Sequence, residues 1–203
     1  MKWMIASDVH GSAKYCRLML QRFEEEQAER LLLLGDLLYH GPRNDLPEEY
    51  APKQVIEMLN GCKEKLLCVR GNCEAEVDQM VLNFPMRADY HELYLDGHRF
   101  FLTHGHLYDE EHLPLISNGD VFMHGHFHKP VLKEKGGIII YNPSSISLPK
   151  ESTPNSYLLI EEDKINIVIS LEKIDEIFST KESVSKICFD CKWSEKCLFY
   201  QKL

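Results

Sequence analysis

The sequence lacks long apolar runs and an excess of basic residues. No segment approaches the roughly 18 consecutive apolar residues that a membrane helix needs, so no membrane association is expected. Lys and Arg number 23 against 32 Asp and Glu, for a formal net charge of −9. Stable nucleic-acid binding, which needs a basic surface, is therefore not expected. A phosphate substrate stays possible in principle, because bound cations can reverse the local charge.

An export signal and a disulfide framework are also missing. Asp8, His10 and Lys14 interrupt the apolar start too early for a signal peptide, so we expect a cytoplasmic protein. The seven cysteines are an odd number, spread without the regular spacing of a small disulfide-rich domain. Thiols kept reduced are the simpler interpretation in that compartment.

The first half of the chain repeatedly places polar residues directly after apolar segments. Four leucines at 31–34 predict a short buried strand that ends in Gly35-Asp36. Two further predicted strands, over 2–7 and 65–70, also end in polar residues, and helices are predicted over 13–27 and 53–60. Loops at the carboxyl ends of strands are where α/β folds collect ligands, so these residues are candidates for one site.

The second half has the turn signals of hairpins. The run 91–95, the turn Asp96-Gly97 and the run 99–103 predict an antiparallel pair. Further strands are predicted over 120–123, 131–133, 138–141, 157–161 and 165–170, and the turn Gly136-Gly137 lies between the second and third of these. Two of the predicted strands, 99–103 and 120–123, lead into histidines next to glycines, in His104-Gly105-His106 and His124-Gly125-His126-Phe127-His128.

The predicted strand ends offer seven candidate metal ligands: Asp8, His10, Asp36, Asn72, His104, His126 and His128. Carboxylate, amide and imidazole groups suit divalent ions such as Mn²⁺, Fe²⁺ or Zn²⁺. Seven ligands are too many for one ion but suit two that share a carboxylate, as in metal pairs that drive phosphoryl chemistry. Asp36 is the candidate bridge. Asp8 and His10 can face one ion if their loop is extended, because alternate residues then point the same way.

These blocks resemble the five signature blocks of calcineurin-like metallophosphoesterases, in order and in rough spacing. The segments 46–52, 70–80 and 141–147 are similar to the bacterial YfcE-type group of that family. The resemblance covers about residues 1–170. It implies an α/β (α+β) fold, a four-layer α-β-β-α sandwich of two mixed sheets flanked by helices. We expect this domain over 1–172 and a cysteine-containing extension over 173–203.

The resemblance also implies a binuclear-metal phosphodiesterase in which a metal-bridging hydroxide attacks phosphorus in line. One ion would be held by Asp8, His10, Asp36 and His128. The other would be held by Asp36, Asn72, His104 and His126. The residues expected to be catalytic are Asp36, Asn72, Cys73 and His104. Two divalent ions are expected, Mn foremost, with Fe, Zn, Ni or Mg as alternatives. Relatives imply a homodimer or homotetramer.

Cys73 departs from the wider family, in which a histidine at this position assists the leaving group. A thiol with a pKa of about 8.5 is a poorer proton donor than an imidazolium. The YfcE-like group shares the cysteine, which favours a small phosphodiester substrate and weak monoester activity. A phosphomonoesterase, a nucleotide pyrophosphatase and a non-catalytic protein-interaction scaffold of the same fold are the alternatives. Ser144 stands where the YfcE pattern carries glycine.

Two other groups are weighed against plain structural roles. His40, Arg43 and Asn44 lie in a long loop that leaves Asp36 directly, and they are candidates for binding the substrate phosphate, the alternative being a solvated loop. The extension could hold a further metal ion, or it could be a packed tail. Its candidate ligands are Cys188, Cys191 and Cys197.

Overall fold

The computed structural model describes residues 2–95 and 97–161, together with the backbone of 164–169. Within these ranges the chain forms ten strands and three α-helices. The strands are β1 (Lys2–Ala6), β2 (Arg30–Leu33), β3 (Leu66–Cys68), β4 (Tyr90–Leu95), β5 (His98–Thr103), β6 (Val121–Met123), β7 (Pro130–Lys135), β8 (Ile138–Pro143), β9 (Ser156–Glu161) and β10 (Lys164–Ile169). The helices are α1 (Ala13–Glu25), α2 (Pro52–Gly61) and α3 (Glu76–Val81), with a 3-10 turn at Lys63–Lys65.

The first sheet has the order β10-β9-β1-β2-β3. Strands β1, β2 and β3 run parallel, whereas β9 is antiparallel to β1 and to β10. Parallel neighbours have their carboxyl ends at the same edge of a sheet. The loops that begin at Ser7, Leu34 and Val69 therefore leave this sheet side by side.

The second sheet has the order β4-β5-β6-β8-β7 and is also mixed. Strands β5, β6 and β8 run parallel, and the predicted hairpins β4–β5 and β7–β8 close its two edges. The carboxyl ends of β5 and β6 lead into His104 and His124. A hydrogen bond from Gly125 N to His104 O, at 2.7 Å, ties these two exits together.

Apolar side chains fill the spaces on both sides of the sheets. Helices α1 and α2 cover the outer face of the first sheet, where Met19 and Leu59 pack with Leu31 of β2. The inner faces of the two sheets meet through Leu32, Leu34, Leu102 and Met123, among others. The outer face of the second sheet, which includes Phe122, is covered by residues of the segment 105–119. The prediction of two mixed sheets is therefore confirmed, with helices on one outer face of the described part.

Several predicted boundaries shift. Helix α1 ends two residues earlier than expected, and α2 includes Gly61, which was expected to follow the helix. Proline at the start of α2 occupies a position where its missing N–H costs nothing. Helix α3 was not predicted, because it buries none of its residues and so has no apolar period. None of the helices in the described ranges is long and apolar enough to cross a membrane.

Candidate metal centre

All seven candidate ligands lie together where the loops from the two sheets meet. The backbone N–H of His126, from the second sheet, donates to Asp8 Oδ2 at 3.0 Å, which joins the two halves of the site. Within the first sheet, His10 N donates to Asp36 O at 2.9 Å and Asp8 N donates to Gly35 O at 3.1 Å. The convergence expected from the strand ends is thus present in the fold.

Asp8, His10 and His128 form the first group of candidate ligands. Asp8 Oδ1 lies 3.2 Å from His128 Nε2 and 3.5 Å from His10 Nε2. The two imidazole Nε2 atoms are 3.1 Å apart. All three side chains are almost fully buried.

Asp36, His104 and His126 form the second group, and Asn72 lies against it. His104 Nε2 is 3.4 Å from Asp36 Oδ2, 3.3 Å from His126 Nδ1 and 3.1 Å from Asn72 Oδ1. His104 is fully buried, whereas Asn72 is exposed and His126 is partly so. This group therefore has an open side that the first group lacks.

Asp36 lies between the two groups. Its Oδ2 is 3.8 Å from His10 Nε2 in the first group and 3.4 Å from His104 Nε2 in the second. Its Oδ1 accepts a hydrogen bond from Cys73 N at 2.9 Å, which fixes the rotation of the carboxylate. This is the placement that a bridging carboxylate needs.

The loops achieve this convergence with left-handed backbone, not with the extended backbone that was expected for Asp8 and His10. Asp8 has φ of 59° and His10 has φ of 50°. Asp36, His126 and His128 also have positive φ, at 56°, 67° and 59°. Non-glycine residues rarely adopt this region, and such strain collects at functional sites where the surroundings enforce it. The expectation of an extended loop was wrong, although both side chains do reach the same group.

Backbone carbonyls orient three of the four histidines. The Nδ1 atoms of His10, His104 and His128 lie 2.8, 2.6 and 2.6 Å from the carbonyl oxygens of Tyr39, Leu34 and Leu148. A carbonyl can only accept, so each Nδ1 carries the hydrogen and the neutral ring presents an Nε2 lone pair to the centre. His126 faces the centre with Nδ1 instead.

Burial and the neighbouring charges shift the pKa values of the carboxyl and imidazole groups in the centre. Burial would raise the pKa of Asp8, but the surrounding imidazoles of His10, His128 and His104 hold that pKa well below its usual value. Burial would lower the pKa of His104, but its bond to Asp36 and the charge of Asp8 raise that pKa to about 9. Burial and the His104 charge lower the pKa of His126 to about 4.

The donor set fits divalent cations. Since His10 and His128 each use Nδ1 as the donor, their Nε2 lone pairs face each other at 3.1 Å, and neutral rings cannot satisfy that contact by hydrogen bonding. Asp8 Oδ1 is buried and has no aligned hydrogen-bond donor among the described residues. A cation between these three atoms would satisfy all of them.

The long loop after Asp36 reaches the edge of the centre. A Cβ on Gly41 would lie 3.2 Å from Cys73 Sγ, so this loop touches the cysteine, which itself groups with His10 and Asp36. Asn44 Nδ2 donates to His40 O at 2.8 Å, and His40 packs against Tyr50. Arg43 is exposed. The substrate-binding role of these residues stays a prediction.

Other polar residues near the site have structural contacts only. Arg70 forms an ion pair with Asp89 at 2.8 Å. His124 is fully buried beside Phe122, and His106 is half-buried with its ring 5.4 Å from that of His104. Cys188, Cys191 and Cys197 fall outside the described residues, as does the proposed extension as a whole, so their metal site and the domain boundary stay predictions.

Glu74 is a residue of the candidate site that the sequence reasoning missed. Its carboxylate accepts the backbone N–H groups of Asp36 at 2.8 Å, Leu37 at 2.6 Å and Gly71 at 2.5 Å. It thereby joins the loops after β2 and β3. Burial and the nearby charge of Asp36 raise its pKa to about 7. An acidic residue two positions after a candidate ligand was the available signal.

Comparison with known proteins identifies the class. Residues 1–164 match the model of the calcineurin-like phosphoesterase superfamily domain, and the chain belongs to that family. It is 46% identical over 168 residues to phosphodiesterase YfcE of Escherichia coli K12, covering 83% of this chain and 91% of that protein. The solved structure of E. coli YfcE, described as a phosphoesterase, superimposes with a TM-score of 0.82 over 85% of this chain and 94% of that one.

More distant relatives share the fold. Phosphodiesterase MJ0936 of Methanocaldococcus jannaschii is 24% identical over 150 residues, covering 70% of this chain and 82% of that protein. Vps29 of Entamoeba histolytica, solved as a complex with Zn²⁺, has a TM-score of 0.54 at 20% identity, over 82% of this chain and 90% of that one. The second likeness supports the fold alone.

Proposed function

We propose that this protein is a metal-dependent phosphodiesterase that holds two divalent ions and hydrolyses a small phosphodiester. The observation that carries the proposal is the position of Asp36 Oδ2 between His10 Nε2 at 3.8 Å and His104 Nε2 at 3.4 Å. One ion would be held by Asp8, His10, His128 and Asp36, and the other by Asp36, Asn72, His104 and His126. Manganese is the ion that we expect first.

The two ions, when bound, would neutralise phosphate charge and supply a water molecule that is nucleophilic at neutral pH. The protein's own residues would bind the ions, and hydrogen bonds from the backbone orient the side chains that do so. The backbone carbonyls of Tyr39, Leu34 and Leu148 hold three imidazoles in one tautomer with Nε2 facing inward. Cys73 N fixes the carboxylate of Asp36 through the 2.9 Å hydrogen bond.

The thiol at position 73 supports a diester in preference to a monoester. Burial and the charge of Asp36 raise the pKa of Cys73, so this thiol holds its proton more firmly than a free thiol does. It is therefore a poor general acid for an alkoxide leaving group. Bis-p-nitrophenyl phosphate and p-nitrophenyl phosphate share a leaving group that needs no protonation. This pair therefore measures the preference for a diester over a monoester independently of any leaving-group acid. The name of the E. coli relative, phosphodiesterase YfcE, agrees with that preference.

The open side of the centre is the proposed route of the substrate. Asn72 is exposed and His126 is partly exposed there, and the loop with Gly41 touches Cys73. Arg43 is exposed on the same loop. Its guanidinium could bind a phosphate oxygen pair. A phosphomonoesterase would need a better proton donor at position 73. A non-catalytic scaffold would not require seven converging metal ligands. The cytoplasmic location and homo-oligomeric state stay predictions.

The test combines metal analysis with hydrolysis of bis-p-nitrophenyl phosphate and p-nitrophenyl phosphate. The wild-type protein should bind two ions per chain and hydrolyse the diester faster. Asp36→Asn should lose at least about 100-fold in kcat/KM, because both ions lose a shared anionic ligand. Asp120→Asn is the matched control, since Asp120 pairs with Arg99 away from the centre. Equal rates for the two substrates, or an active Asp36→Asn variant, would contradict the proposal.

A further inference from the structure

The segment after β8 holds only one of the two groups of ligands. Ser145 Oγ and Ser147 Oγ both donate to the carbonyl oxygen of Asp8, at 2.8 and 2.9 Å. Ile146 N donates to Ser7 O at 2.9 Å, one residue earlier. Three consecutive residues of this segment, 145–147, therefore fix the backbone around Asp8, and all three are fully or almost fully buried.

The same segment also fixes His128. His128 Nδ1 donates to Leu148 O at 2.6 Å, while Ser144 Oγ and Lys150 N donate to His128 O at 3.1 and 2.9 Å. Ser144 has φ of 71°, and the YfcE resemblance leads us to expect glycine at this position. The hydroxyl of Ser144 makes a contact that glycine could not make. Segment 144–150 thus holds Asp8 and His128 together, and both have left-handed backbone.

The second group has different supports. His104 is oriented by Leu34 O at 2.6 Å, and Asp36 by Cys73 N at 2.9 Å. The backbone of Asp36 is held by Glu74 at 2.8 Å. The hydrogen bonds that orient His104 and Asp36 thus come from residues outside segment 144–150. His126 contacts Asp8 Oδ2 only through its backbone N–H, at 3.0 Å, whereas its ring Nδ1 lies against His104.

We propose that Ser145 and Ser147 are positioning residues that set the affinity of the ion held by Asp8, His10 and His128 without setting that of the other ion. Their two hydroxyls stabilise the left-handed conformation of Asp8 that turns its carboxylate toward the imidazoles. Removing these hydroxyls allows the Asp8 peptide to relax. The Asp8 carboxylate is then no longer held in the position in which it would bind the first ion. This inference rests on the proposed two-ion centre.

Ser147→Ala is the lead variant, because the hydroxyl of Ser147 bonds to Asp8 O, whereas Ser145 Oγ also accepts N–H groups from Ser147 and Leu148. Ser156→Ala is the matched control. Ser156 is equally buried and donates to a backbone carbonyl, that of Pro143 at 2.5 Å. Ser147→Thr keeps the hydroxyl and should restore binding.

The measurement is titration of the ion-free full-length protein with Mn²⁺, followed by the electron paramagnetic resonance of free Mn²⁺. We expect the wild type and Ser156→Ala to bind two ions with the same two affinities. Ser147→Ala should lose about 10–100-fold in affinity for one ion alone, the usual effect of removing a residue that supports a metal ligand. Thermal melting of the ion-free variants confirms that each is folded.

A second variant assigns the loss to one ion. His128→Ala removes a ligand of the first ion, so adding Ser147→Ala to it should weaken the remaining ion no further. Equal weakening of both ions in Ser147→Ala, or no weakening, would overturn the inference while leaving the two-ion centre intact. A wild-type protein that binds no Mn²⁺ would instead refute the proposed function itself.

Discussion

Gly71 provides a sharp test of the geometry, because a single methyl group there would strike the proposed bridging ligand. A Cβ at position 71 would overlap Asp36 Oδ1 and lie 2.5 Å from Asp36 N and 2.6 Å from Glu74 Oε2. Real Cβ contacts essentially never fall under 3.0 Å, so the loop after β2 must shift by roughly 0.5 Å or more in Gly71→Ala. Both the Asp36 carboxylate and the Glu74 bonds that support it would move.

Two effects follow from that shift. Overpacking of a tight site costs typically about 1–3 kcal/mol of stability. Misplacement of a reacting group by about 1 Å can cost about 100-fold in rate, so a shift of this size should lower kcat/KM by roughly 10–100-fold. Steady-state hydrolysis of bis-p-nitrophenyl phosphate at saturating Mn²⁺ and thermal melting measure the two effects.

Gly61→Ala is the matched control for Gly71→Ala. Gly61 lies in α2, where an added Cβ would meet no atom within 4 Å. Alanine in a helix is favoured over glycine by about 0.5–1 kcal/mol, so this variant should keep full activity and melt slightly higher. If Gly71→Ala kept its activity within about threefold of the wild type, the close approach of Gly71 to Asp36, and with it the argument for a rigidly held bridge, would be refuted.

Two further predictions concern the ions. The raised pKa of His104, about 9, means that a proton occupies this ligand in the ion-free protein at neutral pH. Mn²⁺ affinity should therefore rise about tenfold per pH unit from pH 7 to 9, and isothermal titration at several pH values measures it. An affinity that does not change with pH would contradict the raised pKa of His104. Removing the ions with a chelator should lower the free energy of unfolding by about 2.7 kcal/mol per ion relative to protein held at 100 times the dissociation constant. An unchanged melting temperature after chelation would contradict the presence of these sites.

Much of the fold followed from local patterns. The apolar runs that end in polar residues correctly predicted β1, β2 and β3, and the Asp96-Gly97 and Gly136-Gly137 turns predicted the two hairpins of the second sheet. These signals are readable because a buried strand has to be apolar and a tight turn has to contain residues that tolerate positive φ. Helix α3 escaped because an exposed short helix leaves no apolar stripe.

The identity of the candidate ligands was also determined by the sequence, since residue types and their places after strands were enough to group seven of them. The residues that hold these ligands in place were not predicted from the sequence. Glu74 binds the backbone N–H groups of Asp36 and Leu37, and Ser145 and Ser147 bind the carbonyl group of Asp8. These partners are 37 or more residues away in the chain, and no local pattern records them. The left-handed backbone of Asp8 and His10 was likewise invisible, because non-glycine residues adopt it only where tertiary hydrogen bonds enforce it.

The sequence by itself therefore determined which chemical groups the protein has for binding metal ions, and the order along the chain of the strands that carry them. Only the tertiary structure decided how closely those groups approach one another, with Asp36 Oδ2 lying 3.8 Å from His10 Nε2 and 3.4 Å from His104 Nε2. The physical reason is that side-chain type and strand pattern are local properties of the chain. Distances of 3–4 Å between loops from two different sheets depend on register, on close approaches at glycines such as Gly71, and on hydrogen bonds that form only when both sheets are packed.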